Sequence, residues 1–220
     1  MTIQFFGDPQ KLLKLSGLLL EGMATTLNIF VLTLLLSIPL GLLVAIGRMS
    51  RRRYVSGPLS LYIYIMRGTP LMLQVLFIYF WLAQALRMDR LPAVIFAFTI
   101  NYAAYFAEIF RSGIQSIPAG QREAGQVLGY TRAQVFFRIV LPQVFKRVLL
   151  PVTNEVITLV KDTALASTVA VMELMSVAKK QVSSASSIEP YLLAAVFYLI
   201  FNGLAEQLCK YFERRLDYYR

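Results

Sequence analysis

Long uncharged stretches divide the chain, and short polar segments separate them. Five stretches are long enough for membrane-spanning helices, because about 20 residues at about 1.5 Å per residue cross a hydrocarbon core of about 30 Å. The predicted spans cover about residues 22–47, 57–86, 91–110, 148–171 and 190–209, with a loop over residues 112–147. The pattern predicts an all-α membrane protein with five transmembrane helices in a single domain, residues 1–220.

The composition agrees with a membrane environment. Charged residues make up 15% of the chain, against about 25% in soluble domains. The first stretch exceeds the apolar region of about 7–15 residues in a signal peptide, so we expect it to be retained. The chain has no histidine and one cysteine, Cys209, which excludes an intrachain disulfide, a Cys/His metal cluster and a histidine-based triad. No phosphate-binding G-x-x-x-x-G-K-[ST] loop occurs, so ATP-driven work would need another subunit.

The net charge of +10 is distributed between the apolar stretches. One set of gaps and the C-terminal tail hold fourteen basic residues: Arg48, Arg51, Arg52, Arg53, Arg111, Arg122, Arg132, Arg138, Lys146, Arg147, Lys210, Arg214, Arg215 and Arg220. The opposite set holds six: Lys11, Lys14, Arg87, Arg90, Lys179 and Lys180. Because basic loops stay in the cytoplasm, the N-terminus is predicted outside and the C-terminus in the cytoplasm. This distribution indicates contact with membrane lipid and does not indicate a nucleic-acid partner.

The loop of residues 112–147 is predicted to contain a short helix. Ser116 and Pro118 favour a helix start, and Gly129 favours its end after about residues 119–128, because glycine adopts the left-handed cap at low cost. Glu123 within this helix could accept hydrogen bonds from an arginine of a partner protein. The spacing alone leaves two interpretations open, a docking helix or an ordinary interfacial loop helix.

The loop also carries a recognisable motif. It reads Glu123-Ala124-Gly125, three residues, Gly129, nine residues, then Ile139-x-Leu141-Pro142. This resembles the EAA loop of ABC importer permeases, E-A-A-x3-G-x9-I-x-L-P. The departure is Gly125 in place of the second alanine, one small residue for another.

Three further segments resemble polar amino acid permeases in particular, and the matches run from about residue 20 to the C-terminus. These segments are Arg67-Gly68-Thr69-Pro70 followed by Gln74, Asn101-Tyr102-Ala103-Ala104-Tyr105 with Glu108, and Lys161-Asp162-Thr163.

The resemblance implies a type I ABC importer permease of the bacterial inner membrane, with a cytoplasmic coupling helix. Two permease subunits, identical or related, would pair and dock on a dimer of cytoplasmic ATPase subunits. Those subunits would bind ATP and Mg²⁺, so no cofactor is expected in this chain, which would not itself be an enzyme. An external solute-binding protein would deliver an amino acid. The residues implied to couple to the ATPase are Glu123, Ala124, Gly125 and Gly129.

Charged and polar residues within predicted spans are the candidates for substrate binding, since they are costly there. Arg67 with Gly68 and Thr69 interrupts the second span, and irregular backbone in a membrane can line a cavity. Glu155 with its neighbour Asn154 would favour a polar or basic amino acid. The third-span residue Asn101 is included in this set.

Several alternatives remain open for these residues and for the whole chain. Arg67 could instead brace helices against Asp162 or Glu155, and Glu108 is expected to pair with Arg111 at i+3. Lys161 and Asp162 are expected to form a structural pair. An ATP-independent secondary transporter or channel for amino acids is the alternative function. A membrane-embedded enzyme would leave the cytoplasmic helix unexplained.

Overall fold

The computed structural model describes residues 5–216, and every regular element in that range is helical. Arg220, counted above among the basic residues of the tail, lies outside the described residues. The helices are α1 (Pro9–Arg48), α2 (Arg53–Gly68), α3 (Leu71–Leu86), α4 (Arg90–Gln115), α5 (Ala119–Val127), α6 (Arg132–Val135), α7 (Leu141–Asp162), α8 (Leu174–Ala185) and α9 (Glu189–Leu216). The all-α prediction is confirmed.

Three of these helices, α1, α4 and α9, are long and apolar enough to cross a membrane. Helices α2 and α3 form a bent pair with an angle of 108° between them, which would make a fourth crossing if the pair is one broken span. The break falls at the predicted interruption, where Pro70 precedes α3. Helix α7 does not reach the same apolarity, because it contains charged residues along its length. The count of five spans therefore stays a prediction.

Helix α1 begins earlier than the predicted start at residue 22. The Asp8 carboxylate caps it, accepting from the backbone N–H of Gln10 at 3.0 Å, and Pro9 occupies the first helical position. Both features favour helix initiation. The prediction missed these turns because it followed the uncharged stretch, whereas capping residues set the helix boundary.

The predicted span of residues 148–171 is not one continuous helix. Helix α7 starts at Leu141, inside the predicted loop, and follows a π-helical segment, Phe136–Val140, that joins it to α6. This segment lies just before Pro142, which has no N–H to complete regular α-helical hydrogen bonding. At the other end, a 3₁₀ segment, Thr163–Val169, follows α7 and ends at Ala170 in a left-handed conformation with φ 57°.

Close backbone packing of α1 against α4 forms the centre of the fold. A Cβ atom added at Gly41 would lie 2.7 Å from Phe106 Cβ and 3.0 Å from the Ala103 carbonyl oxygen. Small residues let membrane helices approach and gain van der Waals contacts. The side chains buried around this contact include Ile29, Val94, Ala97, Phe98, Tyr102, Leu159 and Val160.

A partly buried hydrogen bond joins α4 to α7. The Tyr102 hydroxyl donates to Asp162 Oδ2 at 2.7 Å. Interhelical hydrogen bonds in membrane proteins contribute about 0.6–1.7 kcal/mol.

We expect Tyr102→Phe to lower the free energy of unfolding by about this amount, measured by thermal unfolding in detergent. Tyr64→Phe, at an exposed tyrosine with no hydrogen bond recorded in residues 5–216, is the control and should change it little. Equal losses in the two variants would contradict a structural role for this bond.

Candidate functional site

The predicted loop helix is present as α5, and its C-terminal stop is confirmed. Gly129 has φ 80°, a left-handed conformation that favours glycine. Its N–H donates to the Gln126 carbonyl at 2.9 Å, and the Tyr130 N–H donates to the Gly125 carbonyl at 3.0 Å. The predicted capping role of Ser116 is wrong, because its hydroxyl donates to the Gly113 carbonyl in the last turn of α4.

Polar contacts hold α5 beneath the ends of α4 and α7. Arg122 Nη2 donates to the Ile114 carbonyl at 3.2 Å, and the Gln143 amide donates to Gln121 Oε1 at 3.3 Å. Arg147 donates to the Ser116 carbonyl in the connection between α4 and α5. These contacts therefore connect α5 to both α4 and α7.

One side of α5 packs against the chain and the other side is exposed. Gly125 is buried, whereas Glu123 and Ala124 are exposed. Within residues 5–216 the Glu123 carboxylate forms no hydrogen bond or ion pair. Val127 and Leu128 beside it are 87% and 74% exposed. The exposed surface of α5 therefore carries one carboxylate and two apolar side chains.

The structure gives Gly125 a packing role that the motif alone did not indicate. A Cβ atom at this position would lie 2.7 Å from Ile139 Cδ1 and 2.8 Å from Val135 Cγ2. Two bulky side chains from the segment that leads into α7 therefore occupy the space that the alanine side chain of the motif would need.

Substitution of glycines within α5 separates packing from helix propensity. We expect Gly125→Val to destabilise the protein by about 1–3 kcal/mol through overpacking and to increase proteolysis in residues 112–147. Gly120→Val is the matched control, since a Cβ there meets nothing within 4 Å. Thermal unfolding and limited proteolysis measure the difference, and equal behaviour of the two variants would contradict the packing role.

A cavity of about 440 Å³ lies between α4 and α7, with Arg67 at its side. Its lining residues are Arg67, Tyr105, Glu108, Ile109, Ser112, Gly113, Ser116, Arg147, Val148, Pro151 and Glu155. The Arg67 guanidinium lies over the Tyr105 ring, 5.3 Å from the centroid, and this cation–π contact orients it. Two predicted substrate residues, Arg67 and Glu155, therefore line the same cavity with opposite charges.

Glu108 organises a cluster of charges beside this cavity. Its carboxylate pairs with Arg111, as the i+3 spacing predicted, and also with Arg48 at the end of α1. The Arg48 contact was not predicted, because the two residues are 60 positions apart. Arg67 and Glu108 also border a second cavity of about 300 Å³, which includes Gly68. Neither Glu155 nor Asp162 forms an ion pair with Arg67 within residues 5–216, and the bracing alternative stays a prediction.

Asn101 and Thr69 belong to a hydrogen-bond network at the break between α2 and α3. The Asn101 amide donates to the Met66 carbonyl at 3.1 Å and to Gln74 Oε1 at 2.9 Å. Gln74 in turn donates to the Thr69 hydroxyl at 2.7 Å and to the Met66 carbonyl at 2.9 Å. Their polar atoms satisfy backbone groups that the break leaves open. Gln74, which was not among the predicted site residues, could have been found as a buried amide in an apolar stretch.

The remaining predicted residues of α7 point in different directions. Asn154 is exposed and does not line the 440 Å³ cavity, although it adjoins Glu155 in sequence. Lys161 is also exposed, whereas the Asp162 carboxylate binds Tyr102. Lys161 and Asp162 form no ion pair with each other within the described residues, and their expected structural role stays a prediction. Neighbours on a helix are about 100° apart, which separates each of these pairs.

Comparison of the sequence with known proteins indicates the family to which the chain belongs. Residues 37–218 match the family of binding-protein-dependent transport system inner membrane components. The chain is 38% identical to the L-cystine transport system permease protein TcyB of Bacillus subtilis over 90% of this chain and 86% of that protein. It is 37% identical to the octopine transport system permease protein OccM of Rhizobium radiobacter, covering 91% and 86% of the two chains.

A solved structure extends the comparison to the fold. A chain of an amino acid ABC transporter solved with histidines matches with a TM-score of 0.87 and 32% identity, covering 98% of this chain and 100% of that chain. The resemblance to amino acid ABC importer permeases and the permease fold are therefore confirmed. The chain belongs to the family of inner membrane components of binding-protein-dependent transport systems.

Proposed function

We propose that this chain is the membrane-spanning subunit of an ATP-driven importer of polar or basic amino acids. The observation that carries the proposal is that Arg67 and Glu155 line the same cavity. This cavity lies above the exposed helix α5. The names of the relatives, which transport L-cystine and octopine, and the amino acid transporter among the solved structures support the same class of cargo.

The charges of the cavity explain how it would recognise an amino acid. The Arg67 guanidinium offers several donors to a carboxylate, and its stacking on Tyr105 reduces the entropy lost on binding. The Glu155 carboxylate would accept from the α-ammonium group or from a cationic side chain. A zwitterionic amino acid would satisfy Arg67 and Glu155, two of the four charged residues on the lining, and a basic side chain would add a second cation for the Glu155 carboxylate.

Coupling to ATP hydrolysis would take place at α5. A partner ATPase dimer, with ATP and Mg²⁺, would bind the exposed surface that includes Glu123 and Ala124. Gly125 would hold that surface in place through its close packing, and Gly129 would set the direction of the chain where the helix ends. Closure of the ATPase dimer would push α5 against the ends of α4 and α7, to which Arg122 and Arg147 connect it.

The same proposal assigns the other partners and the orientation. A second permease subunit would complete the path, and a solute-binding protein would deliver the amino acid from outside. The chain forms one multi-pass domain, with the N-terminus outside and α5 in the cytoplasm. The basic residues between Arg111 and Arg147 support this orientation, because they surround α5.

Reconstitution tests the proposal against an ATP-independent transporter or channel. Vesicles containing this permease with its ATPase, binding protein and ATP should accumulate labelled arginine or lysine, and unlabelled polar amino acids should compete. Without ATP, or without the ATPase, accumulation should fall to background. Undiminished uptake in those two conditions would support the secondary transporter or channel and contradict the proposal.

A further inference from the structure

A cavity of about 500 Å³ lies beside α5, where α1 and α4 end. Met49 directly follows α1, Gln115 is the last residue of α4, and both line this cavity. Because α1 and α4 are long and apolar enough to cross the membrane, their ends lie at about the level of the lipid headgroups. The cavity is therefore at the membrane surface, on the side that holds α5.

The charged residues of the lining are both cations. They are Arg122 of α5 and Arg132 of α6, and no Asp or Glu from residues 5–216 lines the cavity. Arg122 donates one hydrogen bond to the Ile114 carbonyl, at 3.2 Å, which orients its guanidinium. Arg132 is exposed and has no hydrogen bond or ion pair within residues 5–216. Since a guanidinium carries several N–H donors, both side chains can still donate to an anion.

Two amide side chains add neutral donors to the same lining. Gln115 accepts from Arg111 through Oε1, which leaves its NH₂ group to donate. Gln126 lies four positions after Arg122, so the two side chains share one face of α5. Guanidinium groups bind phosphate through paired N–H donors. The polar lining therefore has the chemistry of a phosphate site.

The rest of the lining is apolar, which restricts the kind of phosphate compound that fits. Its apolar residues are Met49, Ile114, Val135, Phe136 and Val140. An inorganic ion would leave this apolar surface in water, whereas an amphiphile would cover it. The volume of about 500 Å³ also lies in the range of about 300–1,000 Å³ that is typical of sites for organic ligands. A phospholipid, with its glycerol and first acyl carbons on the apolar surface, satisfies both parts of the lining.

The face of α5 that borders the cavity differs from the exposed surface around Glu123. Arg122 donates to Ile114 at the end of α4, so the face that carries Arg122 and Gln126 is directed toward the membrane helices. Glu123 and Val127 each follow by one position and lie about 100° further round the helix. This arrangement favours a ligand that enters from the membrane over a side chain of a protein bound at the Glu123 surface.

We propose that this cavity binds the headgroup of an anionic phospholipid from the cytoplasmic leaflet, with its phosphate between Arg122 and Arg132. Basic pockets beside the cytoplasmic ends of membrane helices are suited to such headgroups. The bound phosphate would join α5 to α6 across the turn at Gly129. The inference rests on the proposed function in one respect, the cytoplasmic position of α5, and it adds a ligand that the proposed function does not include.

Lipid binding to the purified, delipidated full-length chain in detergent tests the site without a transport assay. Native mass spectrometry during titration with phosphatidylglycerol should show saturable binding of one lipid. Phosphatidylcholine with the same acyl chains has no net charge and should bind at least about tenfold more weakly, because two cations line the cavity.

Substitution of Arg132 tests the charge of the lining. Arg132→Gln should weaken the binding of phosphatidylglycerol at least about fivefold, because it removes one of the two cations. Arg132→Lys keeps the charge and should weaken it less than about threefold. Arg51→Gln is the control, since Arg51 is exposed between α1 and α2 and does not line the cavity. This variant should change the binding less than about twofold.

An added carboxylate tests the location independently. Gln126→Glu places a negative charge in the cavity and should weaken the binding of phosphatidylglycerol at least about fivefold. Gln121→Glu adds the same charge to the same helix outside the cavity and keeps the oxygen that accepts from the Gln143 amide. It should therefore change the binding less than about twofold.

Inorganic phosphate identifies the source of the ligand. In excess over the lipid it should not displace phosphatidylglycerol, and displacement would show that the site takes free phosphate and would overturn the lipid proposal. Equal binding of the two lipids, or unchanged binding in Arg132→Gln, would overturn it as well. Unchanged lipid binding together with weaker co-purification of the ATPase in Arg132→Gln would assign the cavity to the partner protein. A chain that binds the lipid through Arg132 but fails to import amino acids would contradict the proposed function and leave this site standing.

Discussion

Glu123→Arg is expected to abolish association with the ATPase and ATP-driven uptake. The carboxylate is exposed on α5 and has no hydrogen bond or ion pair within residues 5–216. Its replacement should therefore leave the fold intact and affect only an external partner. Loss of one side of an interfacial charge pair costs about 2–5 kcal/mol, so affinity for the ATPase should fall at least about 30-fold. Co-purification and ATP-dependent uptake in vesicles measure the two effects.

The control for this variant is Asp89→Arg. Asp89 is exposed at the start of α4, at the opposite end of that helix from α5, and its side chain does not cap the helix. The Asp89→Arg variant carries the same charge reversal as Glu123→Arg and should co-purify with the ATPase as the wild type does. Unchanged ATPase association in Glu123→Arg would contradict the docking role of α5, and the secondary transporter or channel would then be the better interpretation.

Glu155→Gln is expected to impair uptake of cationic amino acids more than that of neutral ones. The substitution keeps the size of the side chain and removes the negative charge from the cavity shared with Arg67. The kcat/KM for arginine and lysine should fall about tenfold or more, since each about 1.4 kcal/mol of lost transition-state binding corresponds to a factor of ten. For a neutral polar amino acid we expect a fall of less than about threefold.

Glu206→Gln is the matched control for the cavity variant. Glu206 pairs with Lys210 on α9, with a distance of 2.6 Å between Lys210 Nζ and Glu206 Oε1, and does not line the cavity. Its substitution should leave the ratio of cationic to neutral uptake unchanged, measured by competition in reconstituted vesicles. If Glu155→Gln reduced the uptake of cationic and neutral amino acids by the same factor, Glu155 would support the helix without recognising substrate charge.

Predictions from local sequence succeeded where one backbone position determines the structure. Gly129 ends α5 as expected because its left-handed conformation depends on a single residue. Ser116 is not the cap because it lies at the C-terminal end of α4, where its hydroxyl donates to the Gly113 carbonyl, and Pro118 occupies the N-cap position of α5. Residue type identifies the candidates for a cap, whereas the path of the chain selects among them.

In the candidate site, too, the sequence identified the residues and the tertiary structure determined how they are arranged. Polar residues in apolar stretches identified Arg67, Glu155 and Asn101 from composition and position. Only the packing of distant helices separated them into cavity residues and a network residue, since Asn101 contacts Met66 and Gln74 across the break in the second span. Asn154 and Glu155 are neighbours in sequence and lie on different faces of α7.

The sequence by itself determined the helical membrane class, the break after Arg67 and the short helix ending at Gly129. Each of these depends on hydrophobicity along the chain or on the backbone preference of one residue. The tertiary structure decided which side of α5 is exposed, where Gly125 packs, and that Arg67 and Glu155 share a cavity. These features depend on contacts between residues far apart in sequence, because the relative rotation and separation of packed helices decide which side chains meet.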